Sequence, residues 1–135
     1  MSVPDDPRPR LPHAAPFLLL DRVLEIGERG GAFVKLVSAA DPCVGHDGIL
    51  PAVFILEALA QGGGAYLCAR GEAALGGYLA AVDDFRVLDD VRVGDAMRVE
   101  VEVIRNFAGA VLLRGRALVD GRLCAEGRIT LKPPR

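Results

Sequence analysis

PAVFILEALAQGGGAYLCAR, residues 51–70, decides how the rest of the chain is read. It shows no alternation of polar and apolar residues, starts with strong helix formers, and opens on a proline. That residue suits a first helical turn, where the missing N–H would have had no intrahelical partner. The spacing predicts a helix over roughly 51–69. It is apolar on every side, the pattern of a helix enclosed by other structure. Ile49–Leu67 is long and apolar enough to be weighed as a membrane span. Glu57 and Gln61 stand inside it, and a carboxylate near a bilayer centre is costly, so enclosure by protein and no membrane span is expected. Gly62, Gly63 and Gly64 would each cost about 1 kcal/mol relative to alanine in a helix, which points to a close approach of another backbone or of a ligand.

Outward from this helix the chain reads as strands. Before it, Phe17–Ile26 is an apolar run interrupted by Asp21 and Arg22, ambiguous between helix and strand. Ala32–Ala39, with Lys35 and Ser38 among apolar residues, is closer to a half-buried strand. After it, Tyr78–Val82 is short and apolar. Met97–Ile104 sets Met97, Val99, Val101 and Val103 against Arg98, Glu100 and Glu102, a period of two. Val111–Val119 and Leu123–Leu131 flank Asp120-Gly121, a strong hairpin signal, so the last two strands should be antiparallel neighbours. Two strands, one long helix and a run of strands indicate an α+β domain whose antiparallel sheet wraps a central helix.

The composition narrows the partners. A chain of 135 residues with 51% hydrophobic residues can bury one core, and a single domain from 13 to 135 is expected behind a flexible, proline-rich leader at 1–12. A formal net charge of −2 lacks the basic footprint of nucleic-acid binding. Cys43, Cys68 and Cys124 are an odd number at wide spacing, which suits a reducing compartment. The opening MSVPDDPRPR lacks the apolar core of a signal peptide, and a cytoplasmic location is expected. Cys43 and His46 have C-x-x-H spacing, but without a second ligand pair no metal is expected there. Cys43 has no second histidine nearby in sequence to support it as a nucleophile, and Cys68 reads as helix packing.

Five stretches carry a resemblance: LPHAAPFLLLDRVLEI (11–26), Gly45-His46, PAVFILEALAQ (51–61), and the tail motifs YLAAVDDFRVLDDVRVGD and RGRALVDGRLCAEG. Together they resemble the FabA/FabZ-type 3-hydroxyacyl-acyl-carrier-protein dehydratases, over nearly the whole chain. The resemblance implies a hot-dog fold, no cofactor, and a homodimer or higher homo-oligomer whose sheets join edge to edge. It also implies shared sites, with His46 of one subunit facing Glu57 of the other. His13 matches a family histidine and reads as structural. The loop HDGILP is about three residues shorter than the family's. Asp47 stands where an aromatic is usual, and Ala52 where glycine is usual. Ala52 resembles a divergent FabZ-like branch of polyketide-like and aryl polyene pathways, whose helix begins Val-Pro-Ala.

Dehydration of a 3-hydroxyacyl thioester needs a base for the hydrogen beside the carbonyl, an acid for the departing hydroxyl and stabilisation of enolate-like charge. His46 would be the base, since neutral imidazole suits that task near pH 7. The plainer alternative is a loop histidine bonded to backbone. Glu57 lies too deep in the helix to serve its dipole, and burial would raise its carboxyl pKa, making it the acid. Its alternative is a structural ion pair, with Arg22 among the candidates. Gln61, one turn on, would hold Glu57 or a water in place. The N–H groups of Ala52 and Val53, in the first helical turn, could point at the thioester oxygen. The substrate would be an acyl-carrier-protein or coenzyme A thioester. Arg105, Arg114, Arg116 and Arg128 are available to an acidic carrier, or are simply a solvated face. Two alternatives use the same fold: a thioesterase in which Glu57 activates water, and a non-catalytic acyl-binding subunit.

Overall fold

Asp21 explains how an ambiguous apolar run becomes a strand. Its Oδ2 accepts the Leu36 N–H at 2.6 Å and its own N–H donates to the Val34 carbonyl at 2.8 Å, pinning the chain beside its neighbour before regular pairing begins. The computed structural model describes residues 18–71 and 78–132, so the leader at 1–12 and His13 lie outside the described residues. β1 (Arg22–Ile26) and β2 (Gly30–Leu36) form an antiparallel hairpin, followed by α1 (Ala52–Ala69). β3 (Tyr78–Val87), β4 (Ala96–Phe107), β5 (Ala110–Val119) and β6 (Arg122–Lys132) complete the order.

These strands form a six-stranded sheet in the order β1-β2-β4-β5-β6-β3, with antiparallel neighbours throughout. The two late hairpins turn on residues with positive φ. Asp120 (51°) and Gly121 (77°) join β5 to β6 as the sequence predicts, and Ala108 (48°) and Gly109 (79°) join β4 to β5. Both pairs fit a two-residue turn whose twist matches the strands. Tyr78–Val82 extends to Val87, carried past its apolar part by an irregularity between Asp83 and Arg86 in which Asp84 adopts φ 52°.

α1 packs against β2, β4, β5, β6 and β3, so the sheet wraps it as expected. The inward period-two positions Phe33, Val99, Val101, Leu113, Ile129 and Leu131 meet Ile55, Ala58, Leu59 and Tyr66 of the helix in one buried cluster. Gly62 and Gly63 face that layer. A Cβ on Gly62 would lie 2.9 Å from Val99 Cγ1, and one on Gly63 would lie 3.0 Å from Leu131 Cδ1. The close approach predicted for these two glycines is therefore to sheet side chains. Gly115 on β5 makes the matching concession, with Leu59 Cβ 3.1 Å from where its own Cβ would be. Although α1 is long and apolar enough by composition to cross a bilayer, at a mean hydropathy of 1.4, it is the core helix of this sheet.

Candidate active site

The helix is not enclosed on every side. Ile55, Ala58, Leu59, Gln61, Gly62, Gly63, Ala65, Tyr66 and Leu67 are buried. Glu57, Ala60, Gly64 and Cys68 are only half-buried and Val53 is exposed. Their spacing of three or four residues puts them on one stripe. Glu57 therefore lies on the open face of α1 and is half-buried within the protomer, where the sequence led us to expect full burial.

Gln61 behind it is 2% exposed and is held at both ends. Its Oε1 accepts the Leu19 N–H at 2.9 Å and its Nε2 donates to Glu57 Oε1 at 3.1 Å. The backbone bond settles which end of the amide faces Glu57, since only an oxygen can accept from Leu19. A carboxylate oxygen is thus fixed one helical turn from Gln61, as the spacing predicted. Arg22, the candidate partner for a structural ion pair, is exposed at the start of β1.

The N-terminus of α1 carries no capping side chain. Pro51 occupies the cap with φ −60° and ψ 148°, and no acidic residue lies in the first turn. The N–H groups of Phe54 and Ile55 bond to Pro51 O at 3.0 and 3.3 Å. Ala52 and Val53 precede them in the exposed first turn, where helix geometry provides no acceptor for their N–H groups and the dipole is positive.

His46 is exposed at the apex of a tight turn. Gly48 N–H bonds to Gly45 O at 3.0 Å, with Gly48 at φ 75°. Asp47 closes the turn: its Oδ1 accepts the Ile49 N–H at 3.0 Å. That is a local role for a residue standing where an aromatic is usual, and the Asx-turn habit of Asp beside Gly was its signal. The strand side is anchored by Leu50 N–H to Val91 O (2.8 Å) and Val93 N–H to Gly48 O (2.9 Å). Cys43 and Val44 pack on the core, and the cysteines are free. Among the described residues no three His, Cys, Asp or Glu side chains converge as a metal site.

The arginines on the outer face of the sheet are mostly engaged. Arg116 pairs with Glu100 at 2.7 Å, Arg128 with Asp84, and the Arg105 guanidinium lies 5.0 Å from the centre of the Phe107 ring. A groove of about 460 Å³ on that face is lined by Glu25, Arg29, Glu100, Glu102, Arg114 and Arg116, with charges of both signs.

Residues 6–135 match the model of the ApeP-like dehydratases. The chain belongs to this family. Relatives in the wider group include the 3-hydroxyacyl-[acyl-carrier-protein] dehydratase FabZ of Actinobacillus succinogenes, 41% identical over 88% of this chain and 84% of that protein. FabZ of Haemophilus influenzae is 40% identical over 88% and 85%. Among solved structures, the dehydratase heterocomplex ApeI:P from Xenorhabdus doucetiae superposes with a TM-score of 0.82 at 24% identity, covering 93% of this chain and 88% of that one. A hypothetical thioesterase protein from Streptococcus pneumoniae with coenzyme A superposes with a TM-score of 0.70 at 12% identity, covering 82% of each. These likenesses carry the hot-dog fold, and family membership makes the chain a dehydratase.

Proposed function

We propose that this ApeP-like dehydratase removes water from a (3R)-3-hydroxyacyl thioester, borne by an acyl-carrier protein or coenzyme A, to give the trans-2-enoyl thioester in fatty-acid or polyketide-like synthesis. The observation that carries the reading is the bond from Gln61 Nε2 to Glu57 Oε1 on the half-open face of α1, about one helical turn beyond the first-turn N–H groups of Ala52 and Val53. His46 takes the hydrogen on the carbon beside the carbonyl, and that electron pair moves towards the thioester oxygen. The N–H groups of Ala52 and Val53 stabilise the charge there. The pair then forms the double bond as the C3–O bond breaks, and Glu57 gives its proton to the leaving hydroxyl, releasing water. Gln61 keeps Glu57 aimed.

The assembly we infer is a homodimer through β3. This strand ends the sheet order and exposes Leu79, Val82 and Val87 along its length. An exposed edge strand with apolar side chains is a ready template for pairing with another chain. Pairing there brings Glu57 opposite His46 of the partner subunit, the arrangement that the family resemblance implies. A solution mass of about twice 14.3 kDa supports this, and a stable monomer counts against it. Free thiols at Cys43, Cys68 and Cys124 accord with a cytoplasmic setting.

The direct experiment follows enoyl absorbance with 3-hydroxyacyl thioesters of both carriers. Wild-type turnover that falls by about a hundredfold or more in Glu57→Ala and His46→Ala supports the assignment. Equal rates for wild type and Glu57→Ala would sink it. Thiol release that survives His46→Ala would turn the reading towards a thioesterase.

A further inference from the structure

Lys35 is 3% exposed, and only Gln61 and Thr130 join it as buried polar or charged residues among those described. It occupies the inward register of β2, two residues from Phe33 and opposite Met97 of β4, both of them fully buried. A flexible lysine leaves the core at little cost unless something holds it there, because its ammonium is strongly hydrated. What holds it is Asp41, whose Oδ2 lies 3.3 Å from Lys35 Nζ. The same oxygen accepts the Ser38 N–H at 2.9 Å.

Asp41 begins the segment that carries His46. Its N–H bonds to Ser38 O at 3.0 Å and its carbonyl accepts the Val44 N–H at 3.2 Å, two residues before His46. From there Cys43 and Val44 pack on the core, and Gly45 enters the turn whose far side is tied to Val91 and Val93. The loop is thus fixed at two ends, one by strand-like bonds and the other by a charge reaching out from the sheet interior. Removing that charge leaves the Asp41 end held by local turns and by the packing of Cys43 and Val44.

We infer that Lys35, acting through Asp41, is a positioning residue for His46. The role rests on the reading of His46 as the base, and it touches no substrate atom. A base displaced by about 1 Å can lose on the order of a hundredfold in rate, while binding of the acyl chain along α1 is unaffected.

The test uses the full-length protein with Lys35→Met, which keeps the apolar stem and removes the charge, and with Asp41→Asn at the more exposed partner. Two readouts are needed. In steady-state dehydration, kcat should fall by about ten- to a hundredfold with KM changed by less than about threefold. In NMR of the imidazole nitrogens, the His46 signals should shift or broaden while those of His13 hold; only two histidines are present, so assignment is direct. Folded variants whose His46 signals and kcat match wild type overturn the inference. Should Lys35→Met fail to fold, Asp41→Asn carries the same comparison. Should His46→Ala keep full activity, the base assignment fails and the imidazole signals alone judge the loop.

Discussion

Gln61 reaches Glu57 with its amide N–H and Leu19 with its amide oxygen, so one buried side chain couples the candidate acid to the backbone leading into β1. Gln61→Leu fills the same space but leaves the Leu19 N–H without that acceptor at a site 4% exposed. We expect a stability loss of about 1–3 kcal/mol by urea unfolding, since a buried donor left unpaired forfeits its solvation. Turnover should fall further than the folded fraction explains, by about tenfold, because Glu57 loses its guide. A variant with wild-type kcat would remove Gln61 from the site.

Gly62→Ala sets two effects against each other. Alanine gains about 1 kcal/mol of helix propensity. The new methyl would meet Val99 Cγ1 at 2.9 Å and Val101 Cγ1 at 3.4 Å, and β-branched side chains on paired strands give little ground. Overpacking of this kind costs about 1–3 kcal/mol, so a net loss of about 1 kcal/mol and a Tm lower by about 4 °C is expected. A rise in Tm would show that the helix can lift from the sheet.

Glu100 should shape the acid limb of stability. Burial pushes its carboxyl pKa up, but hydrogen bonds and charge from Arg98 and Arg116 together outweigh burial and hold it below the usual glutamate range. A lowered folded pKa means that the unfolded chain binds more protons in the window below about pH 4.3, so this stabilisation is present above that pH and fades as pH falls through the folded pKa. Urea midpoints of wild type and Glu100→Gln should differ near pH 6 and draw closer as pH falls to about 3. A gap that is equal at both values contradicts the assignment.

Cys68 and Cys124 should be poor nucleophiles at neutral pH. Burial pushes both thiols above their ordinary pKa; at Cys124 the Asp89 and Asp95 charges add to this and Arg122 opposes it. Iodoacetamide should therefore label half-buried Cys68 slowly at about pH 7.5 and faster at about pH 9.5, and reach Cys124, fully buried, only on unfolding. Labelling of Cys68 at the rate of free cysteine near neutrality would contradict this.

What the sequence disclosed follows from where each residue's fate is decided. Helix 51–69 was legible to within a residue of Ala52–Ala69 because helix formers, a proline start and apolar length agree locally. The Glu57–Gln61 bond was legible for the same reason, being a matter of helical spacing. β3 was cut short at Val82 because it is an edge strand: Asp83 and Asp84 break its apolar pattern at the bulge, and solvent on its open side imposes no alternation. The course of the loop at His46 depends on partners outside it, Lys35 in β2 and, far along the chain, Val91 and Val93. Lys35 did leave a trace, since it shares the parity of Phe33 while exposed Leu36 does not.

The sheet order bears on how the chain is made. α1 is synthesised before β4, β5 and β6, which supply most of its covering, and β3 pairs with β6, the last strand of the sheet to be made, from Tyr78↔Lys132 to Val87↔Ala125. Gly63 meets Leu131 and Ile129, near the end of the last strand. On the ribosome, then, an 18-residue apolar helix emerges after the β1–β2 hairpin and before the strands that cover most of it. Contacts this far apart in sequence form slowly, and apolar surface waiting for them is vulnerable to aggregation. Shortening the chain within β6 would reproduce that nascent condition permanently, so truncated products should be recovered with chaperones or in inclusion bodies instead of as folded monomers.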